Sequence, residues 1–322
     1  MTSTTSSATV EHRIGARGRF ALLLPAGDVV VRGVDGEVAR VRDLDGRSLG
    51  DRFRIEAADG SLSLRAPESG FNFVLDLGFL KRGHHANLEV ELPRLASVQL
   101  ETASADVRVD GLQGDGQYKT AAGELMLTHA GGSVDVEGVS GEIEIAADGD
   151  LKVACRTVSG DVSVHAGTLT RLQVNTTSGD MKARGRLAGD GPFSINTVSG
   201  DAEVVTSSGL RVEAKTVTGD IDAPDELRSS SGPGTRAFST GDGRVPLSFR
   251  SISGDLRITG VVRSAEAAAL EPVAAANVAR DPTVEDPAAG ARLDLLRALE
   301  RGELTVDEVT VRLAELDGEA GR

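Results

Sequence analysis

A short phrase that recurs at near-constant spacing limits the fold of this chain more than any other feature of its sequence. It consists of Ser or Thr, then Gly, then Asp or Glu, and equivalent positions from 105 to 219 lie 18 to 21 residues apart. Two degenerate copies end at Asp106 and Glu124. The six clear copies are Ser140-Gly141-Glu142, Ser159-Gly160-Asp161, Ser178-Gly179-Asp180, Ser199-Gly200-Asp201, Thr218-Gly219-Asp220 and Ser253-Gly254-Asp255. A repeat of this period predicts a solenoid, in which each repeat forms one coil that packs against its neighbours.

Apolar residues alternate on both sides of the phrase. Counted from the glycine as position zero, positions −7, −5, +2 and +4 hold Val134, Val136, Ile143 and Ile145 in one copy and mostly similar residues in the others. A spacing of two is the period of a β-strand with one buried face, and so short a repeat leaves little room for a helix. We therefore predict an all-β fold, a right-handed parallel β-helix (β-solenoid) with about 19 residues per coil and strands that stack in chain order at about 4.8 Å.

Each residue of the phrase suits a corner between two strands. Glycine accepts the positive φ that such a corner needs, and the side chains beside it are expected to bond backbone groups of their own turn. Threonine recurs at position −3, which predicts a ladder of hydroxyl groups between coils: Thr102, Thr120, Thr157, Thr176, Thr197 and Thr216.

The chain divides by composition into four parts. Residues 1–18 are rich in Ser and Thr and predicted to be disordered, and residues 19–260 form the repeat domain, with the clearest repeats at 98–260. Looser strands over 20–64 are expected to cover one end of the solenoid. Residues 261–290 form an Ala-, Pro- and acid-rich linker, and 291–318 form a helical hairpin.

The hairpin is predicted from a change of period, with a glycine stop and a capping box between its two helices. It is too small to hold a core alone, so it must pack on the solenoid, on another copy or on a partner, as a docking or oligomerisation module. Its defining residues are Leu296, Leu299, Gly302, Thr305, Val309 and Leu313.

Charge and cysteine content narrow the class of partner and the compartment. The net charge of −14 disfavours nucleic acid and anionic lipid as partners. Cys155 is the single cysteine, which excludes an internal disulfide framework. The first residues lack the pattern of a secretory signal, and the most apolar stretch, 71–80, is too short for a membrane helix and predicts a strand. A cytoplasmic location is expected, with a peripheral position at the membrane as the alternative.

The repeated pattern favours no catalytic, cofactor or metal site. Every coil presents the same acid in the same place, which predicts solvent-facing turn residues, with cation binding along the acid column as the alternative. Nine aromatic residues leave few for a saccharide groove. The five histidines show no zinc spacing, and Cys155 falls in an inward column, which predicts a buried, unreactive thiol. No phosphate-binding loop is present, because no helix follows the glycine turns.

The stretches Leu88-Glu89-Val90-Glu91-Leu92-Pro93 and Val98-Gln99-Leu100-Glu101-Thr102, followed by serial Ser-Gly-Asp coils, resemble a bacterial β-strand-repeat family of unknown function whose members are called putative adhesins. The tail from Leu295 to Glu308 is similar to the short helical hairpin that accompanies such repeats in envelope-stress-related proteins.

These observations predict a non-enzymatic β-solenoid scaffold that binds another protein or an envelope component, with a link to adhesion or envelope stress and with the hairpin as its docking module. The first alternative is a cytoskeletal polymer that resembles bactofilins, and the second is a polysaccharide-active β-helix enzyme.

Overall fold

The computed structural model describes residues 7–66, 85–189, 191–223, 227–232 and 235–260. The chain divides into two compact units, Met1–Arg263 and Ser264–Arg322, and all described residues belong to the first. The linker predicted at 261–290, the hairpin predicted at 291–318 and the strand predicted at 71–80 lie outside the described residues.

The middle of the chain is a stack of coils, each built from a strand, a corner and a second strand. The strands of this part are β7 (Ser97–Asp110), β8 (Gly116–Ala122), β9 (Leu125–Thr128), β10 (Gly132–Gly138), β11 (Ile143–Ser159), β12 (Val162–Ser178) and β13 (Met181–Leu187). All pairings among them are parallel, and Cys155 pairs with Val136 on one side and with Val174 on the other. Because coils align position by position, the predicted β-solenoid is confirmed.

The predicted apolar columns form the core. Val136, Cys155 and Val174 at position −5, and Ile145 at position +4, are fully buried. Their strand neighbours point outward and are partly or fully exposed, so the burial alternates with a period of two along each strand. Equivalent side chains therefore stack over one another along a single hydrophobic core.

The N-terminal part of the chain joins this stack through strand pairings that the spacing of the repeat does not predict. Its elements are β1 (Thr9–Arg13), β2 (Arg19–Val34), β3 (Val38–Asp43), α1 (Leu49–Arg52), β4 (Arg54–Ala58), β5 (Ser61–Arg65) and β6 (His85–Pro93). The long strand β2 pairs in parallel with β7 on one side and with β5 and β6 on the other. Residues 9–13 form a strand that pairs with β3, whereas the sequence predicts disorder there.

No helix in the described residues has the length and apolarity needed to cross a bilayer.

The coils at the C-terminal end do not stack in chain order. The elements there are β14 (Phe193–Asn196), β15 (Ala202–Val205), β16 (Leu210–Lys215), β17 (Ile221–Asp222), β18 (Leu227–Gly232), β19 (Thr235–Ser239), β20 (Val245–Arg250) and β21 (Leu256–Thr259). Phe249 of β20 pairs with Ile195 of β14 on one side and with Ala214 of β16 on the other. The coil of Gly254 thus lies between those of Gly200 and Gly219, and the expected chain-order stacking is wrong here.

Antiparallel strands close the parallel stack at both ends. At the N-terminal end, β3 pairs with β6 and β4 pairs with β5. At the C-terminal end, β19 pairs with β16 and β18 pairs with β19. The expectation that the irregular first strands cover one end is confirmed, and the hairpin of β18 and β19 covers the β16 side of the other, where β17 pairs with β21 alone among the described strands.

Corner glycines set how closely two coils approach. Gly141 has a φ of +123°, and a Cβ atom added to it would lie 2.1 Å from the carbonyl oxygen of Gly123 in the preceding coil. The conformation disfavours side chains, and the neighbouring backbone leaves no room for one. Gly36 offers a comparison, because its φ is +137° but nothing lies within 4 Å of its added Cβ.

Replacing a corner glycine tests this packing. We expect Gly141→Ala to lower the free energy of unfolding by about 3 kcal/mol or more, since strain and a backbone clash add, and Gly36→Ala to lower it by about 1 kcal/mol. Urea unfolding followed by circular dichroism measures both. Equal losses in the two variants would show that φ strain alone matters and that the close approach of coils does not.

Engineered disulfides test the order of the last coils. Ser199 and Ser253 form a parallel bridge between adjacent coils, and Ser253 also bridges to Thr218. Cysteines at 199 and 253 should therefore cross-link under mild oxidation, because neighbouring strands satisfy the Cα separation of a disulfide of about 4.4–6.8 Å. Cysteines at 199 and 218 should remain free, because a whole coil separates them. The thiols are quantified by mass spectrometry after alkylation, and cross-linking of the second pair only would restore chain-order stacking.

Candidate functional site at the repeated corner

Stacking of the coils brings the predicted turn residues into rows along one edge of the solenoid. The first is a hydroxyl row, which consists of Ser140, Ser159, Ser178, Ser199, Ser253 and Thr218. Parallel bridges link its members, for example Ser140 with Ser159 and Ser199 with Ser253. The second row is formed by the corner glycines 141, 160, 179, 200, 254 and 219. The third is the acid row, which consists of Glu142, Asp161, Asp180, Asp201, Asp255 and Asp220. The predicted hairpin residues Leu296, Leu299, Gly302, Thr305, Val309 and Leu313 lie outside the described residues.

The aspartates of the acid row bond the backbone of the next coil. Asp161 Oδ1 accepts a hydrogen bond from the backbone N–H of Asp180 at 2.9 Å, and Asp180 Oδ1 accepts one from Asp201 at 2.9 Å. The series continues from Asp201 to Asp255 at 2.9 Å and from Asp255 to Asp220 at 2.7 Å. The expectation that these side chains bond their own turn is wrong for these four. Each carboxylate instead ties two coils together.

Isolated bonds of the same kind occur at two earlier coils, one of which the sequence analysis did not identify. Asn87 Oδ1 accepts a hydrogen bond from the backbone N–H of Asp28 at 3.3 Å, and β2 aligns Asp28 with Asp106. Asp106 Oδ1 in turn accepts one from Glu124 at 3.0 Å. The signal in the sequence is Gly27 before Asp28, followed by alternating strand residues. This coil is hard to recognise in the sequence, because the coil that aligns with it, at Asp106, lies much farther along the chain.

Three of the six threonines in the column bond within their own coil and one bonds across, which corrects the predicted hydroxyl ladder. Thr120 Oγ1 donates to the carbonyl oxygen of Ala122 at 3.0 Å, and Thr176 Oγ1 donates to that of Ser178 at 3.1 Å. Thr216 makes the equivalent bond to Thr218 at 3.3 Å. Thr102 alone in this column reaches another coil among the described residues, at 3.5 Å from the carbonyl oxygen of Lys119. These hydroxyls brace individual corners rather than link coils.

The acid row keeps its negative charge uncompensated at close range. Within the described part of the chain, none of its six carboxylates forms an ion pair. Two cations that line the same groove as the row pair with other acids, Lys182 with Glu203 at 2.7 Å and Arg257 with Asp222 at 3.5 Å. An open groove of about 700 Å³ follows the row and is lined by Asp161, Asp180, Asp201 and Asp255 among others.

Metal binding finds no support at this edge. No group of three or more His, Cys, Asp or Glu side chains in the described residues is arranged to hold a metal ion. The aspartate oxygens that face the neighbouring coil already accept backbone hydrogen bonds, so the row is a stack of single carboxylates rather than a cage.

A row of apolar side chains flanks the hydroxyl row, and the sequence analysis missed it. It occupies position −2 and consists of Val139, Val158, Thr177, Val198, Ile252 and Val217. Val139, Val158 and Val217 are 37%, 40% and 56% exposed, and the other three are half-buried. At the same position the earlier coils carry only Ala103 and Ala121. The signal was the Val or Ile that precedes Ser-Gly-Asp in most copies.

Cys155 and the described histidines lie away from this edge. Cys155 is fully buried, and burial, with a smaller effect of Asp135, raises the pKa of its thiol to about 12, so the predicted buried thiol is confirmed. The exposed His129 has its Nδ1 2.7 Å from Asp110 Oδ1, and this hydrogen bond raises the pKa of His129 and lowers the pKa of Asp110. His12 lies 2.8 Å from the carbonyl oxygen of Ala58.

The corners of successive coils therefore offer groups for contact in straight rows along the solenoid. It presents an apolar row, a hydroxyl row and a carboxylate row side by side, each repeated once per coil over six coils. Such repetition gives many equivalent contacts and singles out no coil for chemistry.

Comparisons with known proteins point to a family without an assigned activity. Residues 82–169 and 152–259 each match Toastrack DUF4097. No curated protein gives a significant match. Solved structures that match include a putative adhesin from Bacteroides fragilis, with 10% identity, coverage of 79% of this chain and 98% of that chain, and a TM-score of 0.45. A putative lipid binding protein from Parabacteroides distasonis has 13% identity, coverage of 80% and 98%, and a TM-score of 0.24.

The acid ladder yields a prediction that separates hydrogen bonding from charge. Asp180→Ala leaves the backbone N–H of Asp201 without its acceptor and should lower the free energy of unfolding by about 1–2 kcal/mol. Asp180→Asn keeps the Oδ1 acceptor and removes one of several stacked like charges, so it should change the free energy by less than about 0.5 kcal/mol or raise it. Denaturant unfolding measures both.

Glu142→Ala serves as the control, because in the described residues Glu142 accepts no such bond from the next coil. Its effect should stay within about 0.5 kcal/mol. If the alanine and asparagine variants of Asp180 lose equal stability, the ladder does not stabilise the stack through hydrogen bonds.

Proposed function

The chain belongs to the Toastrack DUF4097 family, and from the uniformity of its corner surface we propose that it is a non-enzymatic interaction scaffold. Its resemblance to a β-strand-repeat family of unknown function is thereby confirmed. The observation that carries the proposal is the recurrence of the same three outward rows, in register, over six successive coils. Extended repetition suits contact with another elongated macromolecule, whereas catalysis needs one distinctive arrangement.

The way the solenoid ends supports a discrete scaffold over the bactofilin-like polymer. End-to-end growth of a solenoid needs a free parallel edge on the terminal coil. Here β19 occupies the outer side of β16 and β3 occupies the outer side of β6, both in antiparallel pairing. A second copy therefore cannot continue the parallel stack at these strands.

The electrostatics of the described residues also support binding over a sugar-cleaving site. Paired catalytic carboxylates work because their environments drive their pKa values apart. The acid row instead repeats one environment, since each of four successive aspartates accepts the same backbone hydrogen bond. A link to the cell envelope and a docking role for the hairpin at 291–318 rest on the resemblance of the repeats and tail, and they stay predictions, as does the cytoplasmic location.

The scaffold proposal is tested on the protein in its own cells. We expect the full-length protein in a gently lysed extract to migrate in an assembly larger than the purified chain, because a scaffold is held by its partners. Size-exclusion chromatography with immunodetection measures this. The purified chain should show no filaments by electron microscopy. Migration at the mass of the purified chain would contradict the scaffold, and filaments would favour the polymer.

Removal of residues 290–322 tests the hairpin separately. Light scattering of the purified variant and the size of its assembly in extract should both decrease if the hairpin docks. If neither changes, the hairpin is not the docking module, and the scaffold binds through the coils.

A further inference from the structure

Two rows of the corner face solvent without a complementary surface in the described part of the chain. One is the apolar row at position −2, in which Val139, Val158 and Val217 are 37%, 40% and 56% exposed. The other is the acid row, whose six carboxylates form no ion pair in the described part of the chain. Both rows run across the same six coils, with the hydroxyl row and the corner glycines between them. We name these two rows and the space between them the corner surface.

The strand propensity of valine does not account for the apolar row. Threonine has the same branched shape and is equally suited to a strand, and Thr177 occupies the row in one coil. Five of the six coils nevertheless carry Val or Ile at this half-exposed position. Uncovered apolar side chains aligned along one line are typical of a binding surface.

We propose that the corner surface binds a cationic amphipathic helix of another protein. This inference rests on the proposed scaffold function and names the chemistry of the partner. An apolar stripe on such a helix covers the apolar row, and Lys or Arg side chains on its flank face the acid row. Charge complementarity selects the sign of the partner, because every member of the acid row is negative and the whole chain carries −14.

Helical geometry matches the spacing of the coils. Six coils stacked at about 4.8 Å extend over about 24 Å, which a helix of about 16 residues spans. One helical turn of about 5.4 Å advances by slightly more than one coil, so the roughly four turns of such a helix can place apolar and basic side chains on four or five of the six coils.

An extended peptide fits less well, because the corner offers no free backbone edge. The N–H of Ser159 donates to the carbonyl oxygen of Val139 at 2.7 Å, and that of Ser253 donates to the carbonyl oxygen of Val198 at 2.8 Å. Since corner backbone groups already bond neighbouring coils, strand addition cannot occur there. A helix satisfies its own backbone groups and needs only side-chain contacts.

The test uses the full-length protein and a fluorescent 16-residue peptide with leucines on one helical face and lysines beside them. Two comparison peptides are the same sequence with every Lys replaced by Glu and a scrambled sequence of equal composition. We expect saturable binding of the first peptide by fluorescence anisotropy, with an affinity that falls as salt rises, and at least about tenfold weaker binding of the other two.

Two sets of near-isosteric substitutions separate the rows. Val139→Thr, Val158→Thr and Val217→Thr together keep the branched shapes, and Asp161→Asn, Asp180→Asn and Asp201→Asn together keep the Oδ1 acceptors of the ladder. Each triple variant should weaken binding at least about tenfold, and the aspartate set should also flatten the salt dependence. Circular dichroism and thermal unfolding verify that both triple variants fold.

Matched controls lie elsewhere on the same unit. Val38→Thr changes a valine that is 40% exposed outside the corner surface, and Asp59→Asn, Asp148→Asn and Asp150→Asn remove three exposed charges away from it. Both controls should bind like the unaltered protein. Equal loss in a control and its matched variant, or equal binding of the scrambled peptide, would overturn the proposal.

Self-association provides the remaining outcome. If the valine variant dissociates an oligomer of the unaltered protein, a second copy covers the apolar row, and the proposed partner is wrong. If no peptide binds but the assembly in cell extract persists, this inference fails while the scaffold function stands. Absence of that assembly is the result that contradicts the scaffold itself.

Discussion

The close approach of backbone at the corners determines the rest of the structure. A Cβ at Gly160 would lie 2.1 Å from the carbonyl oxygen of Gly141, and one at Gly179 would lie 2.3 Å from that of Gly160. Each corner thus stands directly over the corner below it. With this point fixed, the period of two on either side brings valines, isoleucines and leucines of successive coils into contact. The columns of the core are therefore a consequence of the corner as much as of hydrophobic burial.

The same close stacking places like charges beside one another, and the acid ladder persists because its hydrogen bonds outweigh their repulsion. Exposed carboxylates about 5 Å apart repel by roughly 1 kcal/mol at the dielectric constant of water, and salt lowers this further. A hydrogen bond from a backbone N–H to a charged acceptor contributes about 1.5–3 kcal/mol. Four successive bonds of this kind join the coils from Asp161 to Asp220. The row of negative charge at the surface thus follows from the hydrogen bonds by which the aspartates join neighbouring coils.

Local pattern in the sequence was sufficient to predict the coil, its buried columns and the position of Cys155. These features depend on a period of two and on glycine at a corner, which a few neighbouring residues encode. The order of the coils was not predictable in this way. The phrases around Gly219 and Gly254 are chemically equivalent, so either fits above the corner of Gly200, and only pairing over many residues decides between them. The site was predicted in part, since its turn residues were found but the outward Val139 and Val158 were not. The period of two identifies the inward columns, and it assigns no role to apolar residues outside them.

Both ends of the stack are built by the same device, an inner coil inserted beside a terminal one. At the N-terminal end β2 lies between β6 and β7, and at the C-terminal end β20 lies between β14 and β16. This order lets the terminal coil continue directly into antiparallel strands, which occupy the edges of β6 and β16 that would otherwise recruit another chain. It also keeps the acid ladder continuous, because Asp255 accepts from Asp220 and donates its own N–H to Asp201. A stack built in chain order would have to form these caps from the strands of its last coil. Insertion instead allows six equivalent corners to lie in one uninterrupted line. That line is long enough for the proposed helical partner to lie along it.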